Sequence, residues 1–456
     1  MTNFKQHYQL VNEFFDSIDG AVRHIDHLEE NILNKGKQGV KEALKQIEAS
    51  ISYFVDESDY KISTKFDGSP AIVAGVDVNG RFFVGTKSVF NKEKEKRKIS
   101  YSKQEIDHNF KEQPELAEKL NLALDYLPSL NLTGIYQMDF MFDNRIKKLD
   151  DIPKTIDGVK NENRFITFQP NPSGIKYAVS PDSPYGQQIL NSKIGVAIHI
   201  KYKVIDGILK IEKFTPSPDE FSPSKTVFVF NVLVDKPKNT SSKFGKLLLR
   251  DVQKKKKTAL ILSDSVDFSG LADYIADLKT YINTEVSSGR FLEDPKMSAD
   301  KFINYKTGKI IKEIEAIDKE LEAIDKEDES SKKDKRRSNR VQKKANKVAS
   351  MKKLVSELKA LKPSIIKAFK ITRLIAVLKN NLIIIFNEIT KNDLLGTYVE
   401  DPSDSGMWQT VHPEGYALSK SGDITKMVIR VGNDGKPGFS QRNFSRRAAI
   451  TPKPTV

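Results

Sequence analysis

The spacing of apolar residues changes along the chain, and each change predicts a change of secondary structure. Up to residue 55 the apolar positions recur every three to four residues, as in VKEALKQIEASISYF (Val40–Phe54), which predicts helices. From Ile62 the period becomes two. The stretch AIVAGVDVNGRFFVGTK (Ala71–Lys87) therefore predicts a β-hairpin that turns at Asn79-Gly80.

Helical and strand-like patterns then alternate up to about Phe214. QPELAEKLNLALDYLP (Gln113–Pro128) is predicted to be a helix, and GIYQMDFMFD (Gly134–Asp143) a strand. The later stretches NRFITFQP and KIGVAIHIKYKVIDGILKIEKF are rich in β-branched and aromatic residues, which also favours strands. We therefore predict a mixed α+β domain that begins near residue 56.

The character of the chain shifts after a Pro/Ser-rich linker, FTPSPDEFSPSK (Phe214–Lys225). Most of the following stretch is predicted to be helical, with a tandem echo EAIDKEL–EAIDKED (Glu315–Asp328) that is typical of a coiled-coil arm. Strand character returns in EGYALSKSGDITKMVIRV (Glu414–Val431). These changes divide the chain into four predicted segments: N-terminal helices (1–55), the first part of the α+β domain (56–214), a mostly helical insertion (215–400) and the closing strands with a tail (401–456).

The net charge of +14 and the pI near 9.3 point to a polyanionic partner, nucleic acid before membrane, although a solvated basic surface has the same composition. The basic run SKKDKRRSNRVQKK (Ser331–Lys344) contains no aromatic residue, so it predicts either phosphate-backbone contact or simply the tip of a helical hairpin. There is no cysteine, which excludes thiolate chemistry. The most apolar run, LIIIF (Leu382–Phe386), is too short to span a bilayer. We expect a soluble, cytoplasmic protein without a membrane partner.

Candidate chemistry begins at KFDG (Lys65–Gly68), a pattern that by itself also fits a plain hairpin with an exposed lysine. Five further elements follow it in order: GTKS with Lys87, YQMDFMFD with Asp139, RFITFQP with Phe165 and Phe168, EGYALS with Glu414 and Gly415, and KMV with Lys426. Together and in this order they resemble the motifs of the covalent nucleotidyltransferases, which are the ATP-dependent DNA and RNA ligases and the mRNA capping enzymes. The resemblance is closest to phage-type RNA ligases and related tailed-phage proteins.

The resemblance implies an α+β, ligase-type nucleotidyltransferase fold with ATP-grasp-like antiparallel sheets, interrupted by the helical insertion. It implies ATP and Mg²⁺ as cofactors, with Lys65 as the nucleophile, Asp67 and Lys426 as catalytic residues, and Glu414 and Asp139 as metal ligands. Its nucleotide-binding residues would be Gly68, Lys87, Asp139, Phe165, Phe168, Glu414 and Gly415. Two positions depart from the family: Asp139 stands where Glu is usual, and Lys87 where Arg is usual.

The function that the resemblance implies is an ATP-dependent polynucleotide ligase acting through a lysyl-AMP intermediate. Its partner would be nucleic acid, RNA rather than DNA, in the host cytoplasm if this is a phage protein. The alternative is a non-catalytic basic nucleic-acid-binding or scaffold protein on a degenerate ligase fold, with self-association through the helical insertion. A third hypothesis is adenylation of a protein or a small molecule. His199 in GVAIHIKY is either a core histidine or a residue of the nucleotide pocket.

Overall fold

The computed structural model describes residues 27–429, except for 56–59, 78, 92, 172–173, 206–207, 213–216, 235–241, 289, 293, 327–328, 330, 391–394, 401–403, 412–414 and 421–422. The described chain combines many helices with three β-sheets. This confirms the predicted mixed α+β class.

The helices form two groups. Four of them accompany the strands in sequence: α1 (Asn31–Val55), α2 (Lys103–Asn109), α3 (Pro114–Tyr126) and α4 (Pro184–Asn191). Four others follow one another with no strand among the described residues between them: α5 (Ser242–Asp264), α6 (Ile275–Ser287), α7 (Pro295–Asp325) and α8 (Ser331–Thr390). None of the helices in the described part of the chain has the length and apolarity that crossing a bilayer requires.

The strands are short and mostly antiparallel. In chain order they are β1 (Lys61–Lys65), β2 (Ala71–Val76), β3 (Phe82–Gly85), β4 (Ile99–Ser100), β5 (Ile135–Asp143), β6 (Lys148–Asp151), β7 (Thr155–Ile156), β8 (Val159–Lys160), β9 (Phe165–Phe168), β10 (Lys176–Val179), β11 (Ile194–Ile205), β12 (Ile208–Ile211), β13 (Val227–Val229), β14 (Leu395–Glu400), β15 (Met407–Thr410), β16 (Gly415–Lys420) and β17 (Asp423–Val428). The predicted hairpin is present as β2 and β3, and the predicted strand as β5.

Three sheets organise these strands. The central sheet has the order β12-β11-β5-β2-β3-β4, with β13 parallel to β11. The third sheet has the order β6-β9-β10-β14-β15-β7-β8, and the small sheet the order β1-β16-β17. Because β14, β15 and β16 pair with strands from the first half of the chain, the segments on either side of the helices complete the same sheets.

The sheets take up part of the range predicted to be the helical insertion. Within residues 215–400, β13 pairs with β11, and the backbone of Val232 and Val234 hydrogen-bonds to β1. At the other end of the range β14 pairs with β10. In the structure the continuous run of helices spans Ser242–Thr390, because the segments on both flanks pair with strands.

Apolar packing explains how the small sheet is oriented. Its side chains Ile62, Tyr416, Leu418 and Met427 are buried against α1, α5 and α8. Since side chains alternate between the two faces of a strand, Lys65 and Lys426 belong to the opposite face. The central sheet packs one face on α2 and α3 and the other on the third sheet. The two lysines therefore lie on the face of the small sheet that is not covered by this helical core.

Candidate functional site

Strand pairing places Lys65 and Lys426 on one face of the small sheet. Lys65 lies opposite Gly415, while Ser63 lies opposite Ala417, which in turn lies opposite Lys426. Side chains directly opposite each other in antiparallel strands share a face and are close neighbours. The sheet thus unites two lysines from distant parts of the chain. Glu414, predicted as a metal ligand, lies outside the described residues.

The segment after Lys65 leaves the small sheet and enters the core between the other two sheets. The ring of Phe66 lies 5.2 Å from that of Phe230 and 5.8 Å from that of Tyr177, measured between centroids. The backbone N–H of Asp67 donates a hydrogen bond of 2.8 Å to the Tyr177 hydroxyl. Burial raises the pKa of Tyr177, so the phenol stays protonated. Tyr177 therefore fixes the position of the Lys65–Asp67 backbone.

Gly68 allows this segment to touch β5. The Ser69 N–H donates to the Phe140 carbonyl at 2.9 Å, and the Phe140 N–H donates to the Pro70 carbonyl at 3.0 Å. A Cβ atom at Gly68 would lie only 2.6 Å from the Asp139 Cβ and 2.8 Å from the Phe140 oxygen. The absence of a side chain at this position is what brings Lys65 and Asp67 next to Asp139.

We predict that Gly68→Ala lowers the free energy of unfolding by about 1–3 kcal/mol, because the new methyl group overpacks against backbone that cannot move away. Gly308→Ala in α7 is the matched control: its Cβ would meet open space, and alanine favours a helix, so stability should rise by up to about 1 kcal/mol. Urea denaturation measures both. Equal stability of Gly68→Ala and the wild type would contradict the close approach.

The electrostatic setting of Lys65 favours the neutral amine. Burial is the main cause that lowers the pKa of Lys65, and the charges of Lys426 and Lys87 lower it further. Asp139 and Asp67 act in the opposite direction. Burial also raises the pKa of Asp67, an effect that Lys65 opposes and Asp139 reinforces. A lysine with a lowered pKa has a larger fraction of free amine near neutral pH, which is what a lysine nucleophile needs.

The other predicted nucleotide-binding residues lie at different distances from this centre. Lys87 is exposed in a short 3₁₀ helix just after β3, yet its charge is felt at Lys65. Gly415 adopts a φ of +154°, and a Cβ there would lie 2.5 Å from the Met427 oxygen. Phe168 is buried and stacks on Tyr177 with ring centroids 5.4 Å apart, so it is a core residue. Phe165 is on the opposite face of β9, where it packs against Tyr398 and Trp408.

His199 borders Asp139 because of a β-bulge. The pairing of β11 with β5 shifts between Ile198 and Ile200, which leaves His199 as the extra residue. Its Nε2 lies 3.3 Å from Asp139 Oδ2, without the alignment of a hydrogen bond. The structure thus places His199 beside a predicted site residue, and one of the two alternatives left open by the sequence, a pocket position, fits this placement.

The carboxylates beside Lys65 are suited to Mg²⁺. In the part of the chain that the structure describes, no three His, Asp or Glu side chains form a metal-binding group by themselves. Nucleotide-bound Mg²⁺ needs fewer, since one or two carboxylates together with the phosphates and waters complete its oxygen shell. Asp139, and Asp67 next to it, supply oxygen donors of this kind. These residues fit the ion that the resemblance to the nucleotidyltransferases implies.

Comparison with known proteins gives one match. A protein-family model described as "Family of unknown function (DUF6267)" matches residues 22–447. The chain belongs to this family. A search of the curated proteins and a search of the solved structures found no match. The match covers β1, β16 and β17 as well as all the helices between them, so the DUF6267 region includes the whole cluster around Lys65.

Tyr177 is the residue of this DUF6267 site that sequence reasoning missed. It is separated from Asp67 by 110 positions, and the stretch KYAV around it carries no motif of its own. A buried tyrosine needs a partner for its hydroxyl, but which partner is decided only when β10 is placed beside Phe66. No local signal in the sequence could have identified it.

Proposed function

We propose that this protein is an ATP-dependent nucleotidyltransferase, built on a ligase-type fold, that transfers AMP first to Lys65 and then to the 5′-phosphate of a polynucleotide. The polynucleotide is RNA rather than DNA, and its 5′-phosphate is joined to a 3′-hydroxyl. The observation that carries the proposal is the cluster itself. A lysine whose pKa is lowered lies beside two carboxylates and two further lysines, all at positions that the motifs single out.

In the first step the neutral Lys65 Nζ attacks the α-phosphorus of ATP. An N–P bond forms, the bond from the α-phosphorus to the bridging oxygen breaks, pyrophosphate leaves, and the amine gives up a proton to solvent. The charges of Lys426 and Lys87 would stabilise the oxygens of the transferring phosphoryl group, as fixed cations do in phosphoryl transfer. Asp139 and Glu414 would hold Mg²⁺, and the ion would neutralise negative charge on the triphosphate. In the second step a 5′-phosphate oxygen attacks the phosphorus of the AMP, the N–P bond breaks, and the freed amine takes up a proton. In the third step the 3′-hydroxyl oxygen attacks the 5′-phosphate, a phosphodiester bond forms, and AMP leaves while the hydroxyl proton passes to solvent.

Self-labelling tests the proposal. Wild-type protein incubated with Mg²⁺ should retain radioactivity from ATP labelled on the α-phosphate and none from ATP labelled on the γ-phosphate. Lys65→Arg should remove all labelling, because an arginine stays protonated and cannot attack. Lys61→Arg, an exposed position on the same strand, is the matched control and should label like the wild type.

The outcomes separate the three hypotheses. The ligase hypothesis is supported if the wild type is labelled, Lys65→Arg is not, and the wild type seals nicked or single-stranded RNA. Label without sealing favours adenylation of another acceptor. Absence of label, with RNA binding intact, leaves the non-catalytic nucleic-acid-binding protein, which the net charge of +14 also suits.

A further inference from the structure

The helices α7 and α8 form a long antiparallel hairpin, which we call the arm. Its base, where α8 meets α6 and α7, has an apolar core that includes Phe302, Leu358 and Phe369. Toward the tip the core thins out: of the described residues between 308 and 350, Ile317 and Ile324 are the buried apolar ones. The distal arm is therefore mostly surface, and its polar side chains determine what it can bind.

Part of the basic run on α8 is used to hold the arm together. Three of its cations, together with Lys347 just beyond the run, face acids of α7 at 2.5–2.7 Å; these pairs are Arg337–Asp325, Arg340–Glu320, Lys344–Asp318 and Lys347–Glu313. We call these four basic residues the paired stripe. Their charges are matched by the neighbouring helix, so they add little to an electrostatic attraction for a ligand.

A second stripe on α8 has a different environment. Between Ser331 and Lys353 the sequence has eleven Lys or Arg and a single acid, Asp334. Lys332, Lys335 and Lys343 are exposed and, among the described residues, face no acid within ion-pair distance. Their spacing of i, i+3 and i+11 puts them on one side of the helix, together with the amides Asn339 and Asn346. We call these five residues the outer stripe.

We propose that the outer stripe of the arm binds the phosphodiester backbone of the polynucleotide substrate. The inference rests on the proposed function only in naming that substrate, since backbone binding needs no catalysis. From Lys332 to Lys343 the stripe extends about 17 Å along α8, which spans several phosphates of one strand. Exposed cations that form no ion pair, together with exposed amides, complement a polyanion.

The composition of the outer stripe also indicates how the strand is recognised. The run contains no aromatic residue on which a base could stack. We therefore expect binding through the backbone alone, without sequence preference and with a steep dependence on salt. A partner protein would instead be expected to cover apolar surface, which the three lysines do not offer.

The test measures binding by fluorescence anisotropy at several salt concentrations, without ATP or metal. The probes are a labelled single-stranded RNA, the DNA of the same sequence, and the duplex of each. The arm variant carries Lys332→Glu, Lys335→Glu and Lys343→Glu. The control variant carries Lys111→Glu, Lys193→Glu and Lys225→Glu; these lysines are exposed, lie outside the arm, and give the same change in net charge. In the arm variant, the log of the association constant should fall less steeply with the log of the salt concentration, with a slope smaller in magnitude by about 2–3. Binding at low salt should be more than tenfold weaker than in the wild type. The control should retain most of the wild-type slope.

The inference is overturned if the two variants bind alike, or if the wild type binds none of the probes at low salt. It is also overturned if the arm variant binds the probes like the wild type and differs from it only in the oligomeric mass measured by sedimentation. If the protein binds RNA probes more tightly than DNA probes, or the reverse, that preference identifies which of the two polynucleotides the arm binds. Protein that binds with the predicted slope but never takes up AMP refutes the proposed function and not this inference. Protein that takes up AMP, while the arm variant binds like its control, refutes this inference alone.

Discussion

Lys426→Ala should reduce self-adenylation about 100- to 1000-fold without unfolding the protein. Lys426 shares a face of the small sheet with Lys65 and lowers the pKa of that amine. A fixed cation beside the transferring phosphoryl group is also worth about this factor when it is removed. The side chain is only half-buried, so its truncation should leave the urea midpoint close to the wild-type value. Initial rates of labelling and urea unfolding measure the two effects.

Lys420→Ala, at the other end of the same sheet, is the control and should retain the wild-type rate. A direct readout is the pKa of Lys65, measured by competitive acetylation without nucleotide or metal. Since Lys426 lowers that pKa, Lys426→Ala should raise it; since Asp139 raises it, Asp139→Asn should lower it. Labelling requires the neutral amine, so its rise with pH should move to higher pH in the first variant and to lower pH in the second. Shifts in the same direction would contradict this arrangement of charges.

Lys379→Met should destabilise the protein by about 3–5 kcal/mol, the usual cost of breaking a fully buried ion pair. The Lys379 ammonium lies 2.8 Å from both carboxylate oxygens of Glu29, and each side chain is only 1% exposed. The pair joins the segment before α1 to the second half of α8. Loss of the lysine leaves a buried carboxylate without this partner. The free energy of unfolding from urea denaturation measures the effect.

Two variants check that burial is the cause. The double variant Glu29→Gln/Lys379→Met should recover part of the lost stability, because it also removes the buried charge. Lys353→Met breaks an exposed pair with Glu357 at 3.9 Å and should change stability by less than about 1 kcal/mol. A double variant that is no more stable than Lys379→Met would contradict the ion-pair explanation.

Local periodicity was enough to predict many elements. The alternation in GIYQMDFMFD corresponds to β5, and the helical pattern from Gln113 corresponds to α3. The helix α3 could be predicted because it buries one face, and burial imposes its period on the sequence. The strand β5 is buried on both faces, and its short run of apolar and aromatic residues indicated a strand. The order of the motifs also singled out Lys65, Asp67, Asp139 and Lys426, which the structure brings together.

Contacts between distant segments could not be predicted. The Pro/Ser-rich segment Phe214–Lys225 is directly followed by β13, and no local feature indicated that β13 pairs with β11. Likewise nothing near Lys379 indicates that Glu29 is its partner. Phe165 and Phe168 are both aromatic in one motif, but they point to opposite faces of β9. Such features depend on which strands become neighbours, and that information is not local.

The most direct test of the central claim is to identify the residue that carries the nucleotide. Protein incubated with ATP and Mg²⁺ would be digested at neutral or alkaline pH, because the N–P bond is labile in acid, and the peptides analysed by mass spectrometry. We predict AMP on the peptide that contains Lys65, bound to its Nζ. AMP bound to any other residue, or no adduct anywhere between pH 6 and pH 10, would contradict the account.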